Sequence, residues 1–333
     1  MRVLFICKKN DCYGFHTYTR RSSGLFNSTR FIAWALRLKG IDAHIVEVVD
    51  NNDIDRECAR FNPDLVVIEA LWVVPEKFPI LMELHPKVKW FVHLHSEMSF
   101  LSLEGIAMEW IVNYEKVGVG LIANSVNSFD ALSVIVDNVT YIPNVYVGKY
   151  PKNKMEKREF RVEIGCFGAI RPLKNQLIQA LAAIKFAREI DKFLVFHING
   201  SRVETGGEPV LKNIEHLFAV TPGAILAESK WNEPEEFQEL LSHMDIGMQV
   251  SLTETFNVVS ANYVDAGIPI VVSKEVKWAS DLCKASDESI DDIVRIMHRV
   301  YRNKCLVRRN RKLLKNHSAI AQKMWVEFCE GQQ

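Results

Sequence analysis

The chain has 333 residues, with 41 Lys and Arg balanced by 41 Asp and Glu, 48% hydrophobic residues, 16 Gly and 11 Pro. Such ordinary proportions exclude a disordered, collagenous or disulfide-stapled chain, and the length suits about two domains of roughly 150 residues each. The balance holds in each half, with 15 basic against 17 acidic side chains in residues 1–150 and 26 against 24 in residues 151–333, so no global field draws the protein to nucleic acid or to a membrane.

Short apolar, β-branched runs alternate with helical patterns. Residues 3–7 read as a first strand; Phe31, Ile32, Ala35, Leu36 and Leu38 have helical spacing that Gly40 stops. Further strands are expected at 43–49, 64–71 (entered through Asn62 and Pro63), 89–95, 120–125 and 140–145. Residues 151–159, with a proline and five charges, read as a linker. The pattern then restarts, with strands at 161–168, 193–198, 224–228, 245–250 and 268–273, and helices at 175–190, 233–243, 257–266, 289–302 and 317–328. Continuous apolar strands between helices predict parallel sheets covered on both faces. The expectation is an α/β protein of two doubly wound, Rossmann-like domains facing a central cleft: residues 1–150, then 160–312, with 313–333 a C-terminal helix packing back across the domains. Ligands in such folds bind at the carboxyl ends of the strands, where the strand order reverses.

The seven cysteines show no C-x-x-C spacing and read as reduced thiols. The first apolar run is too short for a signal peptide, and no uncharged apolar stretch reaches about 18 residues, so a cytoplasmic chain without a membrane span is expected.

Two stretches hold most of the chemistry. In residues 167–176 a strand ends at Gly168, a loop bears Arg171 and Lys174, and a helix starts near Asn175. Strand, cationic loop and helix N-terminus together make an anion site; the alternative is a solvated surface loop. In residues 251–273, Glu254 follows a strand, Thr255, Phe256 and Asn257 lead into a helix, Asn262 lies within it and Gly267 ends it. Glu254 either caps that helix or, while the loop amides hold phosphate, accepts hydrogen bonds from sugar hydroxyls.

Elsewhere the signals are thinner. In residues 20–31 the polar loop with Arg20, Arg21, Ser22, Ser23 and Gly24 either approaches a ligand or caps the following helix. His93 and His95 share one face of a strand; as a metal pair they lack a third ligand in register, which leaves a sugar contact or a core role. Asp53 and Asp55 fit the start of a helix. Residues 302–315 hold seven basic side chains and no acid, either a solvated helix face or a contact for nucleic-acid phosphates or anionic lipid. Trp231 is a candidate border for a nucleotide base.

Gly168, Lys174 and Asn175, followed about 80 residues later by Glu254, Phe256, Asn262, Gly267, Pro269 and Ile270, resemble the donor-binding half of retaining GT-B glycosyltransferases. Bacterial glycan glycosyltransferases and sucrose-phosphate synthases typify that family. HLHSE (93–97), LIANS (121–125) and YIPNV (141–145) are similar to its first-half segments, and the whole chain resembles glycosyltransferases of tailed phages, some of which glycosylate modified bases in viral DNA. The resemblance implies a GT-B fold and metal-independent transfer of a hexose or pentose from a nucleoside diphosphate sugar to a hydroxyl, with retention and with no cofactor beyond the donor. It places Lys174 on the diphosphate, with Arg171 substituting for the family's Arg at Ala169. Glu254 falls on the donor sugar, the amides of 255–257 on phosphate, and Asn262 on the ribose, where the family has a second Glu. The glycine-rich loop of the family falls on Ser22, Ser23 and Gly24, and its strand-end histidine on His93 or His95. The acceptor is then a hydroxymethylated base in double-stranded DNA, or a glycan, lipid or protein hydroxyl. A sugar-nucleotide epimerase and a non-catalytic binding protein on the same scaffold are the rival readings.

Overall fold

The computed structural model describes residues 1–9, 24–148, 158–204, 206–230 and 232–332. These form two compact units, Met1–Val147 with His317–Gln333, and Gly148–Asn316.

The first unit runs β1 (Arg2–Lys8), α1 (Gly24–Arg37), β2 (Asp42–Val48), α2 (Asp53–Phe61), β3 (Leu65–Glu69), α3 (Lys77–Leu84), β4 (Lys89–Leu94), α4 (Met98–Leu101), α5 (Ala107–Lys116), β5 (Gly120–Ala123), α6 (Val126–Leu132) and β6 (Val139–Tyr141). Its sheet has the order β2-β1-β3-β4-β5-β6, and every pair is parallel. Alternation along β1 feeds two cores. Leu4 and Ile6 pack with Val66, Ile68 and Phe78 on one side. Val3 and Phe5 pack with Ile32, Leu36 and Trp325 on the other. All five residues of β3 are buried, as a central strand requires, whereas β2 at the edge alternates between buried and exposed positions.

The second unit runs β7 (Arg161–Gly165), α7 (Gln176–Glu189), β8 (Phe193–Ile198), α8 (Glu208–Ala219), β9 (Ala224–Glu228), α9 (Pro234–Ser242), β10 (Ile246–Gln249), α10 (Val258–Ala266), β11 (Ile270–Ser273), β12 (Lys284–Ala285) and α11 (Ile290–Arg302). Its sheet order is β12-β11-β10-β7-β8-β9, again parallel throughout. In α11 the apolar stripe Ile293, Ile296, Met297 and Val300 is buried, and the Ser289 side chain caps the first turn.

The final helix, α12 (Cys305–Gly331), is longer than the expected 317–328 and includes most of the basic segment. Its first part belongs to the second unit, where Arg311 donates to the carbonyls of Val264 and Asp265 at 3.0 and 2.9 Å. Its last part belongs to the first unit, where Trp325 is fully buried and Gln322 donates to the Ala35 carbonyl at 2.8 Å. Strand boundaries also move. β3 stops at Glu69 because Ala70 turns to φ 70°, and β6 stops before Pro143, which has no N–H for a ladder.

Candidate functional site

In the second unit the strand order reverses between β7 and β10, which lie side by side. The loops that leave their carboxyl ends, 166–175 and 250–257, therefore emerge at one switch point, the ordinary ligand position of a doubly wound sheet. These are the two stretches that the sequence singles out.

Several side chains lace the loops together. Buried Gln179 of α7 donates from Nε2 to the Lys174 carbonyl at 2.8 Å, and its Oε1 accepts from the Val250 N–H at 2.9 Å. Asn175 Nδ2 donates to the carbonyls of Val250 and Asp287 at 3.2 and 2.8 Å. The Leu252 N–H donates to the Leu173 carbonyl at 3.0 Å. Within this frame Lys174 Nζ meets Glu254 Oε1 at 2.5 Å, with side-chain exposures of 16% and 8%. The same Oε1 accepts from Asn257 Nδ2 at 2.9 Å.

Glu254 is thus not the helix cap. Asn257 takes that role, with φ 60° and its side chain accepting from the Ser260 N–H at 2.7 Å. Asn175 likewise adopts φ 56° and spends its amide on loop carbonyls, which corrects the expectation that the helix begins there: α7 starts at Gln176. Phe256 is a core residue, only 3% exposed, with its carbonyl accepting from Trp278 Nε1. Thr255 and Asn262 are half-buried on the loop and on α10. Arg171 forms an ion pair with Glu204 at 2.8 Å, and Glu204 also binds Arg202 at 3.0 Å.

Gly168 has φ 121°, a conformation that side chains avoid, and a Cβ there would meet nothing within 4 Å. The loop is open above this residue, while below it the Gly168 N–H is held by Asn199 Oδ1 at 2.9 Å. The neighbouring thiol of Cys166 is pushed up to about 12, chiefly by burial, which leaves it unreactive.

A second group of polar residues lies in the first unit, at the ends of β3 and β4. Glu69 is fully buried, and its Oε2 accepts from His95 Nε2 at 2.5 Å and from His93 Nδ1 at 3.2 Å. Burial alone would raise the Glu69 carboxyl, but the two imidazoles outweigh it and hold the group at about 2. His93 is itself fully buried beside Trp325, with ring centroids 5.2 Å apart, and its Nε2 has no hydrogen-bond partner. Burial, with the nearby His95, depresses it to about 4, so it is neutral at pH 7. The expectation that these histidines lack a third donor in register is corrected: ligand atoms of Glu69, His93 and His95 lie within 4.8 Å of one another. Glu69 was missed because it reaches the pair only through the pairing of β3 with β4. An ion with bonds of about 2.0–2.1 Å needs donors spread roughly 3.3 Å apart. The 2.5 Å His95–Glu69 separation is instead that of a charge-assisted hydrogen bond. Of the two histidines only His95 keeps solvent exposure, 14% of its side chain; His93 is enclosed by the core.

Arg20, Arg21, Ser22, Ser23 and Trp231 lie outside the described residues, as does Cys12, and Gly24 is the first residue of α1. Asp53 closes the turn before α2, its carboxylate accepting from the Val49 N–H at 3.0 Å.

No family model matches the sequence, nor does any curated protein. Solved structures do match. HepE of Anabaena, in complex with UDP and glucose, aligns with a TM-score of 0.67 at 12% identity, over 99% of this chain and 98% of its own. A trehalose-6-phosphate structure from E. coli bound with UDP-2-fluoro glucose gives 0.65 at 9% identity, over 99% and 98%. A UDP-forming trehalose-phosphate synthase from Burkholderia xenovorans gives 0.62 at 12%, over 85% and 77%. At these identities the likeness is one of fold. The two six-stranded parallel sheets with their helices are those of the GT-B glycosyltransferase fold.

Proposed function

We propose that this protein is a metal-independent glycosyltransferase, moving a sugar from a nucleoside diphosphate sugar to a hydroxyl acceptor with retention. The observation behind the reading is that Lys174 and Glu254, 80 positions apart, share one corner at the switch point of the second unit, beside the open backbone at Gly168. A diphosphate needs fixed positive charge and N–H donors when it leaves. Lys174, with Arg171 and the amides of residues 255–257, supplies both without a metal ion. Glu254 then holds a hydroxyl of the donor sugar and Asn262 the ribose. The acceptor belongs to the first unit, at His95 and the loop that ends at Gly24; His93, enclosed in the core, is dropped from this role.

The neighbours crystallised with UDP or UDP-glucose support a uridine donor. A thermal-shift panel of sugar nucleotides is the test. One of them should raise the melting temperature of the wild type, and Lys174→Ala should abolish the shift. If no sugar nucleotide stabilises the protein, the reading fails. Product analysis with donor alone separates transfer from epimerisation, since an epimerase yields the isomeric donor and a transferase slowly releases free sugar. A purely binding protein would keep its biological role in the Lys174→Ala and Glu254→Ala variants.

For the acceptor we propose double-stranded DNA, on the exposed basic residues Arg302, Lys304, Arg308, Arg309, Lys312 and Lys315 along the first part of α12. Duplex binding should weaken steeply with salt. Binding that is weak and indifferent to salt leaves a glycan, lipid or protein hydroxyl as the acceptor.

A further inference from the structure

We propose that Glu69 is a positioning residue for His95: it holds the imidazole in the Nε2–H tautomer and so presents the Nδ1 lone pair to the acceptor hydroxyl. The inference rests on the reading of the first unit as the acceptor-binding half.

Two contacts fix the same tautomer. Glu69 is ionised, hence an acceptor only, so the 2.5 Å contact at Nε2 requires a proton on that nitrogen. On the other side of the ring, Asn124 Nδ2 lies 3.4 Å from Nδ1 and points a donor at it. That separation is longer than the usual N–H hydrogen bond of about 2.9–3.0 Å, so an arriving hydroxyl can replace it with a shorter bond.

The surroundings hold the carboxylate for this task. His93 takes the remaining share of Glu69 through Nδ1 and stacks 4.0 Å from the His95 ring. Its own Nε2 is buried without a partner, so a second proton there would be an uncompensated buried N–H. The backbone after Glu69 is strained as well, with Ala70 at φ 70° and its N–H donating to the His93 carbonyl at 2.9 Å. Strain of this kind persists only where neighbouring structure enforces it. The loop beyond His95 is pinned in turn: Ser128 Oγ donates to the Ser96 carbonyl and to Glu97 at 3.2 and 2.9 Å. The imidazole therefore has its plane, its tautomer and its backbone set before any ligand arrives, as an orienting carboxylate does for other functional histidines.

The test is long-range 1H–15N NMR on the full chain labelled at histidine, at pH 7.5, for the wild type and Glu69→Gln. The wild-type His95 should be a single Nε2–H tautomer. In Glu69→Gln, whose amide can donate as well as accept, a mixture should appear, with UDP affinity unchanged and turnover on the native acceptor or in donor hydrolysis reduced about tenfold or more, the scale of one lost charge-assisted hydrogen bond. A wild-type His95 in the Nδ1–H or imidazolium form overturns the proposal, even if the variant does not fold. So does a folded Glu69→Gln that keeps one tautomer or full turnover. Absence of UDP binding in both proteins would refute the donor site instead and leave the tautomer result standing.

Discussion

The ion pair between Lys174 and Glu254 makes a prediction that a purely structural pair would not. In the ligand-free protein Glu254 occupies the cation that a diphosphate needs, and Asn257 ties down the same carboxylate oxygen. Two unit charges in close contact at an effective dielectric of about 20 interact by roughly 4 kcal/mol. Desolvation and side-chain ordering offset part of that, leaving about 1.5–2 kcal/mol for a pair this well enclosed. In Glu254→Gln, Lys174 is released and a nearby negative charge disappears, so UDP should bind about ten- to thirtyfold more tightly. The same substitution weakens the hold on the donor sugar, so turnover should fall at least about tenfold, the scale of one hydrogen bond made to a charged group. Titration calorimetry with UDP, set beside turnover for the same preparation, reads both effects. A folded Glu254→Gln protein that binds UDP equally well or more weakly refutes the competition between carboxylate and diphosphate.

Three further outcomes are expected. Gln179→Leu strips the Lys174 carbonyl and the Val250 N–H of their common partner; it should cost about 2–3 kcal/mol, visible as a lower urea midpoint, and should abolish stabilisation by UDP. Gly168→Ala meets no atom but must hold φ 121°, a strain of about 1–3 kcal/mol; the fold should survive with UDP affinity reduced, and an unchanged affinity would place the diphosphate elsewhere. Acid should destabilise the first unit in two stages: the unfolded chain takes up a proton at His93 near pH 6.5 while the folded chain resists until about 4, and Glu69 does the same between its unfolded value near 4.3 and about 2. The His93 stage amounts to at most about 3 kcal/mol, lost as pH falls from 6.5 to 4, and His93→Gln should flatten that part of a denaturation series; a wild-type curve already flat there would contradict the buried neutral imidazole.

The sequence by itself determined the repetition of strand and helix, the parallel character of the sheets and the two loops at 167–176 and 251–257, because each is written in short-range pattern: apolar runs, helical spacing and the glycines that end them. It also marked Lys174 and Glu254 as residues of interest, but not that they touch. Their contact depends on β10 lying against β7, a pairing across 80 positions that no local preference encodes. Glu69 was invisible for the same reason. As one acid at the end of an apolar strand it has no signature, and it acquires a role only when β4 pairs beside β3 and brings in His93 and His95. Burial divided the two histidines, since alternation puts both on one face but only packing against Trp325 encloses His93 and leaves His95 open. Periodicity fixes which way a side chain faces; strand order, set by the global balance of burial and hydrogen bonding, fixes what it meets.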